Sequence, residues 1–378
     1  MRDVFINALG LTPAGEHWST SLRELAYHAI EALHREAPDA HQPEALFVGN
    51  MLAGNLSRQA HLGALMADFA GLRGIEATTI EAAGASGGAA LRQAYIAVAS
   101  GAVNVALVVG VEKMTDKVGP GVTAATATAT DSDWESAQGA TPTALAALLM
   151  RRYMHTHGVA LRDFAGFSVN AHANAKHNPN AMFRNAITAE AYVKAGMVAD
   201  PVNMFDTAPD CDGAAALLIS AYPSTIRVAA SALATDTLAV HDRPDPLTFT
   251  AAQRSAQKAY ELAGIGPQQI QVFELFDAFT VFSALSLEAA GFAERGEGWE
   301  LAANGGIAIA GRVPIATFGG LKARGNPGGA TGVYQVAEVA LQLRGQAGAT
   351  QVRGARYGMA QSIGGAGSTA VTHILERV

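Results

Sequence analysis

Apolar and polar positions follow two rhythms along this chain. The runs "ALFVG" (45–49), "VNVALVVGV" (103–111) and "DGAAALLIS" (212–220) are almost unbroken apolar stretches and predict buried strands. "SLRELAYHAIEALHRE" (21–36) and "GGAALRQAYIAVASG" (87–101) instead repeat their apolar residues at helical spacing. A second set begins near "IRVAASALA" (226–234). It continues through "IQVFELF" (270–276) and the helix "VYQVAEVALQLRG" (333–345), and ends in the strands "ARYGMAQS" (355–362) and "STAVTHIL" (368–375). Strands alternating with helices predict a layered α/β fold.

The two sets share a layout. Each has a glycine-rich turn opening a long alanine-rich helix, followed by a valine-rich strand: "GASGGAALRQAYIAVASG" in the first, "NPGGATGVYQVAEVALQLRG" in the second. A duplicated domain accounts for this and predicts halves at 1–222 and 223–378. Residues 115–205, roughly, break the pattern with the low-complexity run "TAATATAT" and a cluster of histidines. They read as an insertion packed over one face, where a ligand-covering element would sit.

Composition narrows the classes of function. A chain of 378 residues with 49% hydrophobic and 16% charged residues has a large core, enough for two domains. A formal charge of −7 argues against a nucleic-acid or anionic-membrane surface. One cysteine precludes an internal disulfide and a cysteine-based metal cluster. "MRDVFINALG" lacks signal-peptide features, and "VNVALVVGV" is too short to span a bilayer, so a cytoplasmic protein is expected.

The stretch "EAAGASGGAAL" (81–91) looks like an active-site loop without its reactive atom, since Gly84 offers no side chain. This loop, its helix and "VALVVGVEKMTD" resemble the nucleophile loop and following strand of thiolases of the lipid-transfer-protein-like (SCP2-type) branch. "ELFDAF", "FGGLKARGNPGGATGVYQVAEVALQLRG" and "GMAQSIGGAGS" resemble the family's C-terminal motifs, in order and nearly end to end. The resemblance implies a five-layer α-β-α-β-α thiolase fold made of two βαβαβαββ-type halves with an inserted loop domain. It also implies coenzyme A or an acyl-CoA as ligand, with no covalently bound cofactor.

The family's chemistry is absent at each matching position. The cysteine that carries the acyl group corresponds to Gly84. The histidine of a Gly-His-Pro turn corresponds to Asn326, and the histidine that holds the thioester oxygen to Phe276. The second cysteine corresponds to Ala278 or Ser362. Cys211 lies outside this set. Four departures at four reactive positions imply that selection for Claisen chemistry has ended, while the surrounding glycines, Gly328 and Gly365 among them, still fill their turns.

Other polar groups have functional and bland readings. Ser86 is a replacement nucleophile or a helix cap, and without a base the cap weighs more. Asp277 is a base in a partly apolar pocket or a ligand for turn amides, the latter ahead. Asn326 donates to a thioester oxygen or caps its own Asn-Pro turn. Arg151, Arg152, Lys176 and Arg184 meet the CoA phosphates or form a solvated face. His155, His157, His172 and His177 have poor spacing for a metal, and none is expected.

Two functions follow. A non-catalytic CoA-ester-binding protein, or subunit paralogue of acetyl-CoA acyltransferases, is placed ahead. The alternative is a repurposed acyltransferase or retro-aldolase using Asp277 and Asn326. Some thiolase-like proteins cleave acyl-CoA side chains with a zinc-ribbon/OB-fold partner, but with tyrosines where this chain has Phe276 and Asn326. The expected partners are a second copy of the chain, as homodimer or tetramer, an intact thiolase subunit, or a zinc-ribbon/OB-fold protein. "AYIAVASGAVNVALVVGV" (94–111) is expected to form the self-association surface.

Overall fold

The strand order repeats from the first part of the chain to the second. The computed structural model describes residues 2–378. Its first half runs β1 (Phe5–Leu11), α1 (Leu22–Glu36), β2 (Ala45–Gly49), the short α2 (Ala53–Leu56), α3 (Leu62–Phe69), β3 (Glu76–Ile80), α4 (Ser86–Ser100) and β4 (Val105–Glu112). An insertion follows, holding α5 (Gly119–Ala127), α6 (Pro142–His157), α7 (Ala165–Ala175), α8 (Ala189–Val193) and the small β5–β6 ribbon (Met197–Ala199, Val202–Asn203). Strand β7 (Gly213–Ser220) closes the half. The second half runs β8 (Ile226–Thr235), α9 (Thr250–Ala263), β9 (Val272–Glu274), α10 (Thr280–Ala289), α11 (Gly298–Ala303), α12 (Thr331–Leu343), β10 (Tyr357–Gly364) and β11 (Thr369–Arg377).

The first half orders its strands β3-β2-β4-β7-β1, and the second continues β8-β11-β10-β9. Read outward from β1 and β8, the two orders mirror each other. The counterpart of β3 is reduced to one bridge between Phe273 and Ile315. The nine strands are continuously hydrogen-bonded, the sheets of the two halves joining where Phe5 and Ile6 pair with Arg227 and Ile226.

Burial follows from the apolar rows that the sequence supplies. Helix α1 lays Leu25, Ala29, Ile30 and Leu33 on Leu46, Val48, Leu107 and Val109 of the first sheet. Helices α4 and α12 lie between the sheets, with Leu91, Ala94, Val333, Val336 and Ala340 in one core with Ile6, Val108, Leu217 and Val272. Helices α9 and α10 cover the far face of the second sheet, in a cluster that also takes in Leu149, Met150 and Phe167 from the insertion. The result is the five-layer α-β-α-β-α arrangement. Such packed layers, rather than helix propensity, supply most of the stability.

Little of the stretch 94–111 is exposed, which corrects the expectation that it forms the self-association surface. Strand β4 is flanked by β2 and β7 and buried throughout, and α4 exposes only a narrow face that includes Ile96. The unpaired edge of the first sheet is β3, which carries the exposed residues Glu76, Thr78 and Thr79. Among the described residues no helix is long and apolar enough to cross a membrane.

Candidate active site

The loop from β3 into α4 is held tightly by its own polar groups. The Ser86 hydroxyl donates to the Ala83 carbonyl at 2.6 Å and accepts from the Ala82 amide at 2.9 Å. It therefore braces the turn ahead of the helix instead of capping the helix amides. Ala83 has φ +51°, a left-handed conformation disfavoured for a residue with a Cβ. The sharp turn persists although no reactive atom stands on it.

Gly84 follows, and its lack of a side chain is required. A Cβ built there would lie 2.7 Å from the Ile363 carbonyl oxygen and 2.8 Å from Cζ of Phe276. The phenyl ring of Phe276 thus lies against Gly84 and takes up the space a side chain would enter.

Beyond the ring a cavity of about 160 Å³ remains. It brings together Gly84, Phe276, Asn326, Gly328 and Gly365 from both halves of the chain. The insertion supplies another wall through Thr123, Thr126, Ala129 and Thr130, the "TAATATAT" run, and through the start of α6. Phe279, Phe282, Leu145 and Ile363 make much of the remaining lining apolar.

Asn326 presents its amide to this space. Its Oδ1 accepts from Thr331 Oγ1 at 3.1 Å and so does not cap the Asn-Pro turn backbone, which leaves the Nδ2 donor as the group offered to the cavity. Its backbone is clamped on both sides: the Asn326 amide donates to Pro209, and Cys211 donates to the Asn326 carbonyl.

That clamp sets Asp210 directly beside Asn326, the two residues forming an isolated parallel bridge. Asp210 was not a candidate from sequence, because the family resemblance directs attention only to positions where the family keeps a reactive group. Asp210 lines the cavity and is itself exposed. The protein packed around it nevertheless pushes its carboxyl up to about 6 by desolvation, with no cation or hydrogen bond to offset it. Among the described residues it is the only titratable side chain that lines the cavity.

The other sequence candidates lie elsewhere. Asp277 is fully buried behind the wall, where its carboxylate accepts from the Leu321 amide at 2.7 Å and faces Gly320 in a π-type turn, Gly320–Arg324. Gly320, at φ +54°, admits this close approach because a Cβ would meet Oδ2 of Asp277 at 2.4 Å. Asp277 thus serves the turn amides, with its carboxyl raised by burial and partly held down by Lys322. Ser362 is buried where α4 crosses α12, its hydroxyl facing Gly88 and Gly332. Arg184, Arg151, Arg152 and Lys176 are exposed, and none lines the cavity.

Neither tyrosine near the altered motifs reaches the site. Tyr334 donates to the Thr12 carbonyl at 2.9 Å, and Tyr357 donates to Glu376 at 2.9 Å. Cys211 is buried against Gly325 with its thiol pushed up by burial. The histidines do not gather: His157 packs at a tilt against Tyr153, and His172 packs between Phe183 and Phe205. Among the described residues no three His, Cys, Asp or Glu side chains converge on one point.

A buried ionic layer supports the floor. Arg324 pairs with Glu338 at 2.8 Å and stacks over the Tyr334 ring. Glu112 accepts from the Met51, Leu52 and Gly329 amides and from Asn50, and burial still pushes it up to about 7. Its contacts fix the loop after β2 and the Gly328–Gly329 turn at the cavity rim.

Comparison with known proteins agrees with this architecture. The thiolase N-terminal domain model matches residues 4–221 and the thiolase C-terminal domain-like model matches residues 232–377. An acetyl-CoA acetyltransferase of Methanothermobacter thermautotrophicus is 43% identical over the full length of both chains. The benzoylsuccinyl-CoA thiolase subunit BbsB of Thauera aromatica is 30% identical, covering 93% of this chain and 91% of its own. Among solved structures, an Ltp2-ChsH2(DUF35) aldolase superposes with a TM-score of 0.84 at 24% identity, covering 99% of this chain and 98% of that one. The chain belongs to the thiolase family.

Proposed function

We propose that this protein handles CoA thioesters in the cavity without becoming acylated. The Phe276 ring packed on Gly84 carries this reading: the family's cysteine side chain is gone and its space is filled, so no acyl-enzyme forms. What remains is a small, mostly apolar chamber with one amide donor, Asn326, suited to a short acyl group and its thioester oxygen. A non-catalytic CoA-ester-binding role, or that of a subunit beside an intact thiolase, fits the lost nucleophile. A homodimer or tetramer, a zinc-ribbon/OB-fold partner and a cytoplasmic location belong to the same proposal. The similarity to proteins described as a thiolase subunit and as part of a two-component aldolase supports the partner reading.

The presence of Asp210 in the chamber favours a second reading, a repurposed enzyme acting on the same class of ester. The two share one test. Incubation with acetyl-CoA leaves the intact mass unchanged, while calorimetry detects acetyl-CoA binding that weakens as the acyl chain lengthens. A covalent acetyl adduct, or no detectable binding of acetyl-CoA, overturns the proposal.

A further inference from the structure

We infer that Asp210 is the acid–base residue of a carbon–carbon lyase activity in this cavity, acting on β-hydroxyacyl-CoA thioesters. The inference rests on the proposal that the cavity receives CoA thioesters.

The lining restricts the chemistry. Among the described residues it contains no cysteine, serine, lysine, histidine or tyrosine, so it offers no thiol for an acyl-enzyme and no amine for a Schiff base. Its side-chain polar groups are Asp210, Asn326 and a set of threonines. Only Asp210 exchanges a proton near neutrality, so proton transfer by a protein side chain here runs through it.

The pairing of Asp210 with Asn326 fixes the geometry. Residues bridged between neighbouring extended segments stand roughly 5 Å apart, with their side chains on one face. A carboxylate and an amide donor are therefore presented side by side to a single small molecule. That spacing suits a substrate with a hydroxyl on Cβ and a thioester oxygen two carbons away.

The steps balance without an added reagent. The Asp210 carboxylate takes the proton from the β-hydroxyl, and the oxygen's electron pair forms a carbonyl as the Cα–Cβ bond breaks. The electrons of that bond pass to the thioester as an enolate, whose oxygen accepts from Asn326 Nδ2. The released aldehyde or ketone leaves, and Asp210 returns the proton to Cα, giving a shortened acyl-CoA and the starting carboxylate. Phe279, Phe282 and Ile363 line the same cavity and lower the local dielectric on that side of both contacts. Desolvation raises the Asp210 carboxyl, which is poised as a base near neutral pH.

The test uses 3-hydroxy-3-methylbutyryl-CoA, whose cleavage yields acetone and acetyl-CoA, with acetyl-CoA binding followed separately by calorimetry. Wild-type protein is expected to release both products in equal amounts. D210N is expected to fold, as judged by its melting temperature, to bind acetyl-CoA within threefold of wild type, and to lose product formation by about 100-fold or more. D210E, which keeps the carboxyl, is expected to recover part of that loss. Product release by D210N within threefold of wild type overturns the inference. So does wild-type protein that binds acetyl-CoA but releases no acetone, in which case the thioester-binding proposal stands. Wild-type protein that does not bind acetyl-CoA overturns both.

Discussion

The ring of Phe276 and the bare Cα of Gly84 form one packing unit: a Cβ on Gly84 would stand 2.8 Å from Cζ and 3.1 Å from Cε2 of the ring. The two departures from the family pattern are thus physically coupled. The position that lost its side chain is filled by the position that gained one. Apolar packing of an aromatic ring against the vacated space is favourable where an unfilled void would not be.

This coupling is measurable. Gly84→Cys alone is expected to destabilise the protein by about 2 kcal/mol, because the new side chain meets both the ring and the Ile363 carbonyl. Phe276→His in the same chain relieves part of that, giving a favourable coupling energy of about 1 kcal/mol in a double-mutant cycle followed by denaturant unfolding. Strict additivity of the two changes would contradict the contact.

Restoring the cysteine alone should not restore thiolysis. Asn326 cannot act as the base that activates a thiol, and Phe276 cannot donate to the thioester oxygen. Gly84→Cys is expected to remain at least 100-fold below an intact thiolase in acetoacetyl-CoA thiolysis, measured under the same conditions.

The pH dependence of any lyase activity should report Asp210. Its carboxyl titrates near 6, so the base form is present above that value and activity rises as pH increases through it. The charged and titratable groups on the adjoining segments are the Cys211 thiol, Asp212 held by Lys113, Glu112 under Gly328, and Arg324 paired with Glu338. Glu112 and Glu338, each at about 7, also titrate in this range, and their contacts are structural. A rise with pH that survives in the residual activity of D210N would assign the profile to those carboxyls and not to Asp210.

Stability has its own pH signature. Glu274 is buried, accepts from the amide and hydroxyl of Thr317, and is pushed up to about 8 by burial and by the neighbouring Glu338 and Asp277. A carboxyl raised in the folded state contributes fully below its ordinary value of 4.5, and that contribution is lost as pH rises through about 8. Glu274→Gln is therefore expected to match wild type in melting temperature near pH 5. At pH 8.5 it should exceed wild type by a few degrees, about what a 1 kcal/mol gain produces in a chain of this size. An equal difference at both pH values would show that Glu274 does not titrate in this range.

Breaking the buried Arg324–Glu338 pair leaves Glu338 without its cation. Arg324→Met is expected to destabilise the fold by about 3–5 kcal/mol at pH 8, and less near pH 5, where Glu338 is protonated. Chemical denaturation at the two pH values separates these outcomes.

Light scattering tests assembly. An exposed edge strand such as β3 offers unpaired backbone groups to a neighbour. The expected species has a mass of two or four times 38.9 kDa. A monodisperse 38.9 kDa particle at micromolar concentration contradicts the proposed homo-oligomer.

What the sequence determined by itself was local and periodic. Apolar runs such as 45–49 and 103–111 became strands β2 and β4 because a continuous hydrophobic segment must be buried on both faces. The helical spacing of 21–36 placed α1, whose start at Ser21 is sealed by a capping box with Glu24. The motifs in order identified the family, and the missing cysteine at Gly84 was legible as a single letter. Direction and neighbourhood were not. Asp277 and Asp210 are both aspartates in motif-bearing loops, yet one turns inward to the Leu321 amide and the other opens into the cavity. Nothing in their flanking residues separates them. The same holds for the stretch 94–111, whose apolar character fits a buried central strand as well as a subunit contact. The pairing of Asp210 with Asn326 joins positions 116 residues apart in sequence. It exists only because the segment before β7 returns alongside the Asn-Pro turn of the other half. Burial, the open side of a carboxylate and the partner of a glycine arise from contacts between distant segments, so the tertiary structure alone decided them.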